Sequence, residues 1–295
     1  MKKVVVILGP TGVGKTKLSL EIAKKYHGEI ISGDSIQVYK DVNIGSAKIK
    51  KDEMQNIPHH MIDVFKPNEE CSVALFQKMV RECISRIDFP IIVGGTGLYI
   101  DSVIKNYEFN EKRDDDYLKK YDNMSNEELY NHLISLDKTI NQIHPNNRKR
   151  VLRALEVIEK TGTSITQKNQ KHTPYYDALI LFLTTNREEL YRRINIRVDE
   201  MIEEGLVDEA RLLYDKNIRI HAIGYKELNS YFDGEISLSE AISEIKKNSR
   251  HYAKRQETWF KKEDNSIMID VDYNNFDNTI NKAYEIIDLF LKKEA

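Results

Sequence analysis

Short β-branched apolar runs that end in Gly or Asp recur at 4–8, 29–31, 90–93, 178–184 and 267–269. They read as parallel strands buried on both faces. Helical stretches lie between them, the first over 15–25. This alternation predicts an α/β chain with a doubly wound parallel sheet, whose ligands gather at the carboxyl ends of the strands.

The alternation breaks after Tyr107, where Glu111-Lys112-Arg113-Asp114-Asp115-Asp116 opens a polar, largely helical stretch lasting to about 171. The pattern predicts a core of 1–109 and 172–295 with an inserted helical subdomain of 110–171. The clearest helix of the insert runs over 147–160, with Val151, Leu155 and Ile158 on one face and Gly162 as its stop. In the core, Thr185-Asn186-Arg187-Glu188 reads as a capping box opening a helix with Arg192, Arg193 and Arg197. A last long helix is expected over 238–261. Its packing face carries Ile242, Ile245, Ser249, Tyr252, Gln256 and Trp259, and Lys247, Arg250, Lys254 and Lys261 lie opposite.

Composition narrows the class without naming a chemistry. In 295 residues, 40% are apolar and 31% charged, as in a globular protein. No apolar run approaches the ~20 residues of a membrane span. Met1-Lys2-Lys3 and the apolar run behind it lack a cleavage site, so they read as a first strand rather than a signal peptide. Cys71 and Cys83 form no C-x-x-C pair and stand near no zinc-spaced histidines, which points to a reducing cytoplasm and to neither disulfides nor zinc. A net charge of −2 indicates no polyanionic partner by itself.

Gly9-Pro10-Thr11-Gly12-Val13-Gly14-Lys15-Thr16 matches G-x-x-x-x-G-K-[ST] and sits between an apolar strand and an amphipathic helix. It is a P-loop in its proper context, and the fold expectation becomes P-loop NTPase-like. Backbone N–H groups and the helix dipole cradle phosphate oxygens, Lys15 adds a charge, and the Thr16 hydroxyl serves Mg²⁺. Such a loop reads a diphosphate or triphosphate and not what is attached to it.

The second strand ends in Gly33-Asp34-Ser35, so Asp34 lies beside the phosphate cradle either as a general base or as a turn cap. The third expected strand ends in Gly94-Gly95-Thr96-Gly97, glycines that permit close backbone approach to a substrate. An aspartate that would hold Mg²⁺ in an ATPase is missing from this strand end, which counts against ordinary ATP hydrolysis. His59-His60 is read as structural, because adjacent histidines do not face one ion together. Trp259 is expected in the core, and Gln256 needs a partner in backbone or RNA.

Taken together, these segments resemble the tRNA dimethylallyltransferase (tRNA isopentenyltransferase) family over nearly the whole chain. The resemblance rests on the P-loop, Asp34-Ser35-x-Gln37-x-Tyr39, Gly45-x-Ala47-Lys48 and Pro58-His59-His60-Met61-Ile62-Asp63. It continues through Gly94-Gly95-Thr96-Gly97-Leu98-Tyr99, His144-Pro145-Asn146, Arg153-Ala154-Leu155-Glu156, Ile223-Gly224-Tyr225-Lys226-Glu227 and Lys254-Arg255-Gln256-x-Thr258-Trp259.

The resemblance implies transfer of a dimethylallyl group from dimethylallyl diphosphate to N6 of the adenosine 3′ of the anticodon, with Mg²⁺. Lys15, Thr16 and Arg197, assisted by Arg193, would hold the diphosphate, and Asp34 would take the amine proton. The implied tRNA contacts are Asp34, Ser35, Ile36, Gln37 and Thr96; Lys149, Arg150, Val151, Leu152 and Arg153; His221, Ala222, Ile223, Gly224, Tyr225 and Lys226; and Lys254, Arg255, Gln256, Trp259 and Lys261. A family arginine expected near 110–120 finds no match, and no zinc finger follows Trp259, so the longer eukaryotic form is not expected. The partners are tRNA and the allylic diphosphate, with no membrane, and a cytoplasmic monomer is expected. Competing readings are an isopentenyltransferase acting on free adenine nucleotides, a P-loop small-molecule kinase and a noncatalytic RNA-binding module.

Overall fold

A computed structural model describes residues 1–107, 109, 115–140, 143–162, 173–261 and 265–293. The polar run at 111–114 and the expected insert limits, 110 and 171, fall outside these residues. Two compact units emerge, one of residues 1–105 with 174–295 and the other of 106–173.

The larger unit begins with β1 (Lys3–Leu8), α1 (Lys15–Tyr26), β2 (Glu29–Ser32), β3 (His59–His60), α2 (Val73–Arg86), β4 (Pro90–Gly94) and α3 (Gly97–Ile104). The smaller unit holds α4 (Asp115–Leu118), α5 (Asn126–Leu136) and α6 (Arg148–Thr161). The chain returns through β5 (Asp177–Thr184), α7 (Arg187–Glu203), α8 (Leu206–Asp215), α9 (Tyr225–Phe232), α10 (Leu238–Phe260), β6 (Ser266–Asp270) and α11 (Phe276–Lys292).

The strands form one parallel sheet in the order β3-β2-β4-β1-β5-β6. Its central strands β1, β4 and β5 are largely apolar on both faces because each face is covered. Val4, Val6 and Leu8 pack with α2 and α3, whereas Val5 and Ile7 pack with α1 and α11. Parallel order puts every strand's carboxyl end on one edge, so the P-loop after β1, Asp34 after β2 and Gly95 after β4 converge there.

A third apolar cluster joins α7, α8, α9 and α10 with Val42 and Ile44 from the long connection after β2. The smaller unit has its own core, in which Leu129 and Leu133 meet Val151, Ala154 and Leu155. Gly162, at φ 66°, ends α6 in the left-handed conformation that glycine adopts without penalty.

Local expectations needed correction at several points. The cap of α7 is Asn186, which accepts the Glu189 N–H, so the capping box begun at Thr185 does not form. The helix over 238–261 is not the last, since α11 follows, and β3 is an additional edge strand of two residues. Trp259 is 42% exposed; the buried aromatic of that helix end is Phe260. Arg250 does not belong to a free basic face, because it donates to Asn195 Oδ1 of α7 at 2.7 Å.

Candidate active site

The P-loop wraps over the start of α1. Gly12 and Gly14 adopt φ values of 81° and 101°, a region that side chains disfavour and that turns successive N–H groups to one side. Lys15 Nζ donates to the carbonyls of Gly9 and Pro10 at 2.9 Å each. Arg193, one turn before Arg197 on α7, donates from Nε to Gly12 O at 3.0 Å and stacks on the Tyr273 ring. Arg193 thus braces the loop.

A cavity of about 840 Å³ opens at this edge of the sheet. Thr11, Gly12, Gly14, Lys15 and Thr16 line it from the P-loop, and Asp34, Ser35, Ile36 and Gln37 line it from the end of β2. Arg193 and Arg197 enter from α7, His221, Ala222, Ile223 and Gly224 from the turn before α9, and Arg255 and Gln256 from α10. Ile36, Met201, Leu206, Ile223 and Ile245 add apolar wall. Gly9, Pro10, Val13, Thr96, Tyr225, Lys226, Lys254, Trp259 and Lys261 do not line it.

The charges inside act on one another. Burial and, to a lesser degree, the nearby Arg197 lower the Lys15 pKa, and Asp34 partly offsets them, leaving it at about 7. Burial raises Asp34 above the usual carboxylate value, against the Ile36 N–H and the positive charges of Lys15 and Arg197. Asp34 Oδ1 accepts the Ile36 N–H at 2.8 Å, so this carboxylate caps a turn and faces the cavity at once. Arg197, whose pKa is also lowered by burial, has no ion pair or hydrogen bond among the described residues and lines the cavity with its charge unpaired.

Gln256 finds its partners in backbone. Its Oε1 accepts the Thr11 N–H at 3.3 Å and its Nε2 donates to Gly95 O at 2.9 Å, tying the P-loop to the end of β4. The glycines after β4 make room for neighbouring protein, and Gly95 also lines the cavity. A Cβ on Gly95 would lie 2.0 Å from the Gln256 amide, and one on Gly97 would lie 2.4 Å from the Trp259 ring. Tyr252, one turn before Gln256, lines the cavity, and its pKa is raised by burial and by Asp34. The i, i+4 spacing to Gln256 was the available signal for it, yet alone it reads as packing.

These features combine an anion cradle, a second cation without an ion pair among the described residues and a carboxylate of raised pKa in one enclosure. The family described as IPP transferase matches residues 37–263, and that described as isopentenyl transferase matches residues 2–64. The first match alone spans most of the chain. The chain belongs to the IPP transferase family.

Similar proteins extend over nearly the same length. The tRNA dimethylallyltransferase of Anoxybacillus flavithermus is 50% identical over 272 residues, which cover 88% of each chain. The solved tRNA isopentenylpyrophosphate transferase of Bacillus halodurans is 44% identical with a TM-score of 0.77, covering 99% of this chain and 97% of that one. A eukaryotic dimethylallyltransferase solved while acting on tRNA gives a TM-score of 0.87 at 33% identity, covering 100% and 82%.

For this family member, two implied nucleic-acid contacts need correction. The Tyr225 side chain is buried at 2% exposure, with its ring under Gly45 and its hydroxyl on Glu209, and Val151 is wholly buried in the core of the smaller unit. Lys149 and Arg150 are exposed on α6, Leu152 packs partly against that core, and Arg153 pairs with buried Glu156 at 2.6 Å. Lys226, Lys254, Arg255 and Lys261 are exposed. Thr96 caps α3 without a side-chain cap bond and hydrogen-bonds to Tyr252.

His59 and His60 hold Ile57 O and Glu29 respectively. Among the described residues no cluster of three or more His, Cys, Asp or Glu is placed to hold a metal ion. The exposed Thr16 hydroxyl nevertheless lines the cavity, and one protein oxygen completed by phosphate oxygens and water suits Mg²⁺. Among the described residues no helix is long and apolar enough to cross a membrane.

Proposed function

We propose that this protein transfers the dimethylallyl group of dimethylallyl diphosphate to N6 of the adenosine immediately 3′ of the anticodon in tRNA, releasing diphosphate. The carrying observation is that Lys15, Thr16, Arg197 and Asp34 share one cavity with an apolar wall. P-loop N–H groups, Lys15 and Arg197 bind the diphosphate, and the apolar side chains exclude water from the prenyl chain. Thr16 holds Mg²⁺, which supplies positive charge to the leaving group when bound.

The N6 lone pair forms the new C–N bond as the allylic C–O bond breaks, and both electrons of that bond leave with diphosphate. The chief barrier is charge separation, and one preorganised donor lowers such a barrier by ~3 kcal/mol. Asp34 accepts the N6 proton, and its raised pKa makes it a better base than an ordinary carboxylate. The adenine leaves its stack to reach this enclosure, as in other base-modifying enzymes. Exposed Lys254 and Arg255 on α10, Lys261 just after it, and Lys149 and Arg150 on α6 meet tRNA phosphates. The protein acts in the cytoplasm as a monomer.

Incubation with Mg²⁺, dimethylallyl diphosphate and undermodified tRNA, followed by mass spectrometry of the nucleosides, tests the reading. A prenylated adenosine in tRNA is expected. No product on tRNA refutes the proposal, and product on AMP alone moves the assignment to free nucleotides.

A further inference from the structure

We infer that Glu209 is a positioning residue for the acceptor side of this cavity, a role that rests on the transferase reading above. Glu209 lies on α8 and does not line the cavity. Its carboxylate reaches a loop 166 positions earlier in the chain. There Oε2 accepts the Asn43 N–H at 2.9 Å, both oxygens accept the Ile44 N–H at 2.9 and 3.0 Å, and Oε1 accepts the Gly45 N–H at 3.1 Å. The Tyr225 hydroxyl donates to the same Oε1 at 2.5 Å.

Three successive amides converging on one anion form a nest, and hydrogen bonds to an ionised acceptor are roughly twice as strong as neutral ones. These amides belong to no helix or strand, and the flanking Asp41 and Ala47 hold positive φ values of 60° and 47°. Within the loop the Ala47 and Lys48 N–H groups bond to Ile44 O and Asn43 O, whereas the acceptors for the amides of 43, 44 and 45 come from outside it. Glu209 supplies them, and Tyr225 closes the arrangement from below, with its ring so near Gly45 that a Cβ there would lie 2.5 Å away.

From this loop the constraint passes to the site. Gly45, Ser46 and Ala47 line the cavity. The Ser46 and Ala47 carbonyls accept from Gln37 Nε2 at 3.2 and 3.4 Å, and Gln37 Oε1 accepts from the Ser32 hydroxyl at 2.9 Å. Ser32 and Gln37 bracket Asp34 in sequence and line the same wall. Releasing the 43–45 amides therefore frees the carbonyls that orient Gln37. Lys15, Thr16 and Arg197 stand on other elements, so the diphosphate side keeps its supports.

The test compares wild type with Glu209→Ala, Glu209→Gln and Tyr225→Phe by steady-state kinetics in each substrate and by amide hydrogen exchange over 40–48. Glu209→Ala is expected to lower kcat/KM for tRNA by about ten- to a hundredfold, the loss of hydrogen bonds to a charged group. The KM for dimethylallyl diphosphate should change less than about twofold, and exchange at Asn43, Ile44 and Gly45 should quicken at least about tenfold. Glu209→Gln keeps one accepting oxygen and should recover part of the loss, with Tyr225→Phe showing the smallest effect.

A folded Glu209→Ala protein with wild-type kcat/KM for tRNA, an equal rise in KM for both substrates, or unchanged exchange would each overturn the inference. If Glu209→Ala does not fold, Glu209→Gln and Tyr225→Phe decide by the same criteria. A wild-type protein that transfers nothing to tRNA refutes the transferase reading and with it the acceptor role. The exchange measurement then reports separately whether Glu209 holds the loop.

Discussion

The P-loop and the connection after β2 face the same cavity, yet they are held in opposite ways. In the P-loop, glycines at 12 and 14 take up the unusual backbone angles, and Lys15 bonds to carbonyls five and six positions away. In the connection, non-glycine residues Asp41, Ala47, Gln55 and Asn56 sit at positive φ, as do Met61 and Asp63 just after β3. Side chains hold the stretch from 39 to 48. Lys48 donates to Tyr39 O, Asn43 Oδ1 and Asp63 Oδ1, and Glu209 reaches over from α8. An anion cradle recurs as a short motif because its geometry is local, whereas the opposite wall depends on long-range contacts and carries strain of about 1–3 kcal/mol at such positions.

Changes that strike one wall only will separate the two. The largest effect is expected from Asp34→Asn, which removes the proposed proton acceptor and should lower turnover by about 10²- to 10⁴-fold while diphosphate binding persists. The pH profile supplies the sign. Only the ionised Asp34 accepts a proton, and its pKa lies above the ordinary carboxylate value, so the rate should climb with pH through that raised pKa and fall below it. Asp34→Asn should abolish this acid limb, and an unchanged limb would remove Asp34 from the reaction.

On the other wall, Arg197→Ala should cost on the order of 10²- to 10³-fold in turnover by withdrawing charge from the leaving group. Its thermal midpoint should stay near that of wild type, since Arg197 makes no ion pair among the described residues. Wild-type turnover in this variant would erase the distinction between the walls.

Lys15 gives a subtler contrast. Its pKa of about 7 in the free protein means that it is largely neutral at pH 8 and charged at pH 6. A bound diphosphate favours the ammonium form, so binding at pH 8 should take up nearly one proton and binding at pH 6 almost none from this group. Affinity should therefore weaken above pH 7 by up to about tenfold per unit. Calorimetry in buffers of different ionisation enthalpy measures the uptake, which Lys15→Met should eliminate.

The smallest effect concerns the strut behind the P-loop. Gln256→Ala leaves the Thr11 N–H and Gly95 O without their partner and should destabilise the fold by about 1–3 kcal/mol in denaturant titrations. A neutral result would mean that water replaces both bonds.

The strands were legible in sequence for a plain reason. A parallel strand covered on both faces is apolar along its middle, as in β1, β4 and β5, and the shorter β2 and the edge strand β6 still carry the apolar runs Ile30-Ile31 and Ile267-Met268-Ile269. β3 is two histidines at the sheet edge, too short and polar to register. The helix α11 was missed although Ile280, Ala283, Ile287 and Phe290 follow helical spacing and are buried. Trp259 was read as core from the same spacing that serves Phe260, because one residue of rotation separates a buried position from an exposed one.

By itself, then, the sequence determined five of the sheet's six strands, the phosphate cradle and the placing of Asp34 at a strand end, since all three depend on residues adjacent in the chain. Only the tertiary structure decided that Gln256 would bridge Thr11 and Gly95, that Arg193 would brace Gly12, and that Glu209 would hold the loop from 43 to 45. Those partners lie up to 245 positions apart. Which polar side chain meets which amide across such a span depends on how helices and sheet pack, and no local pattern of residue types encodes that.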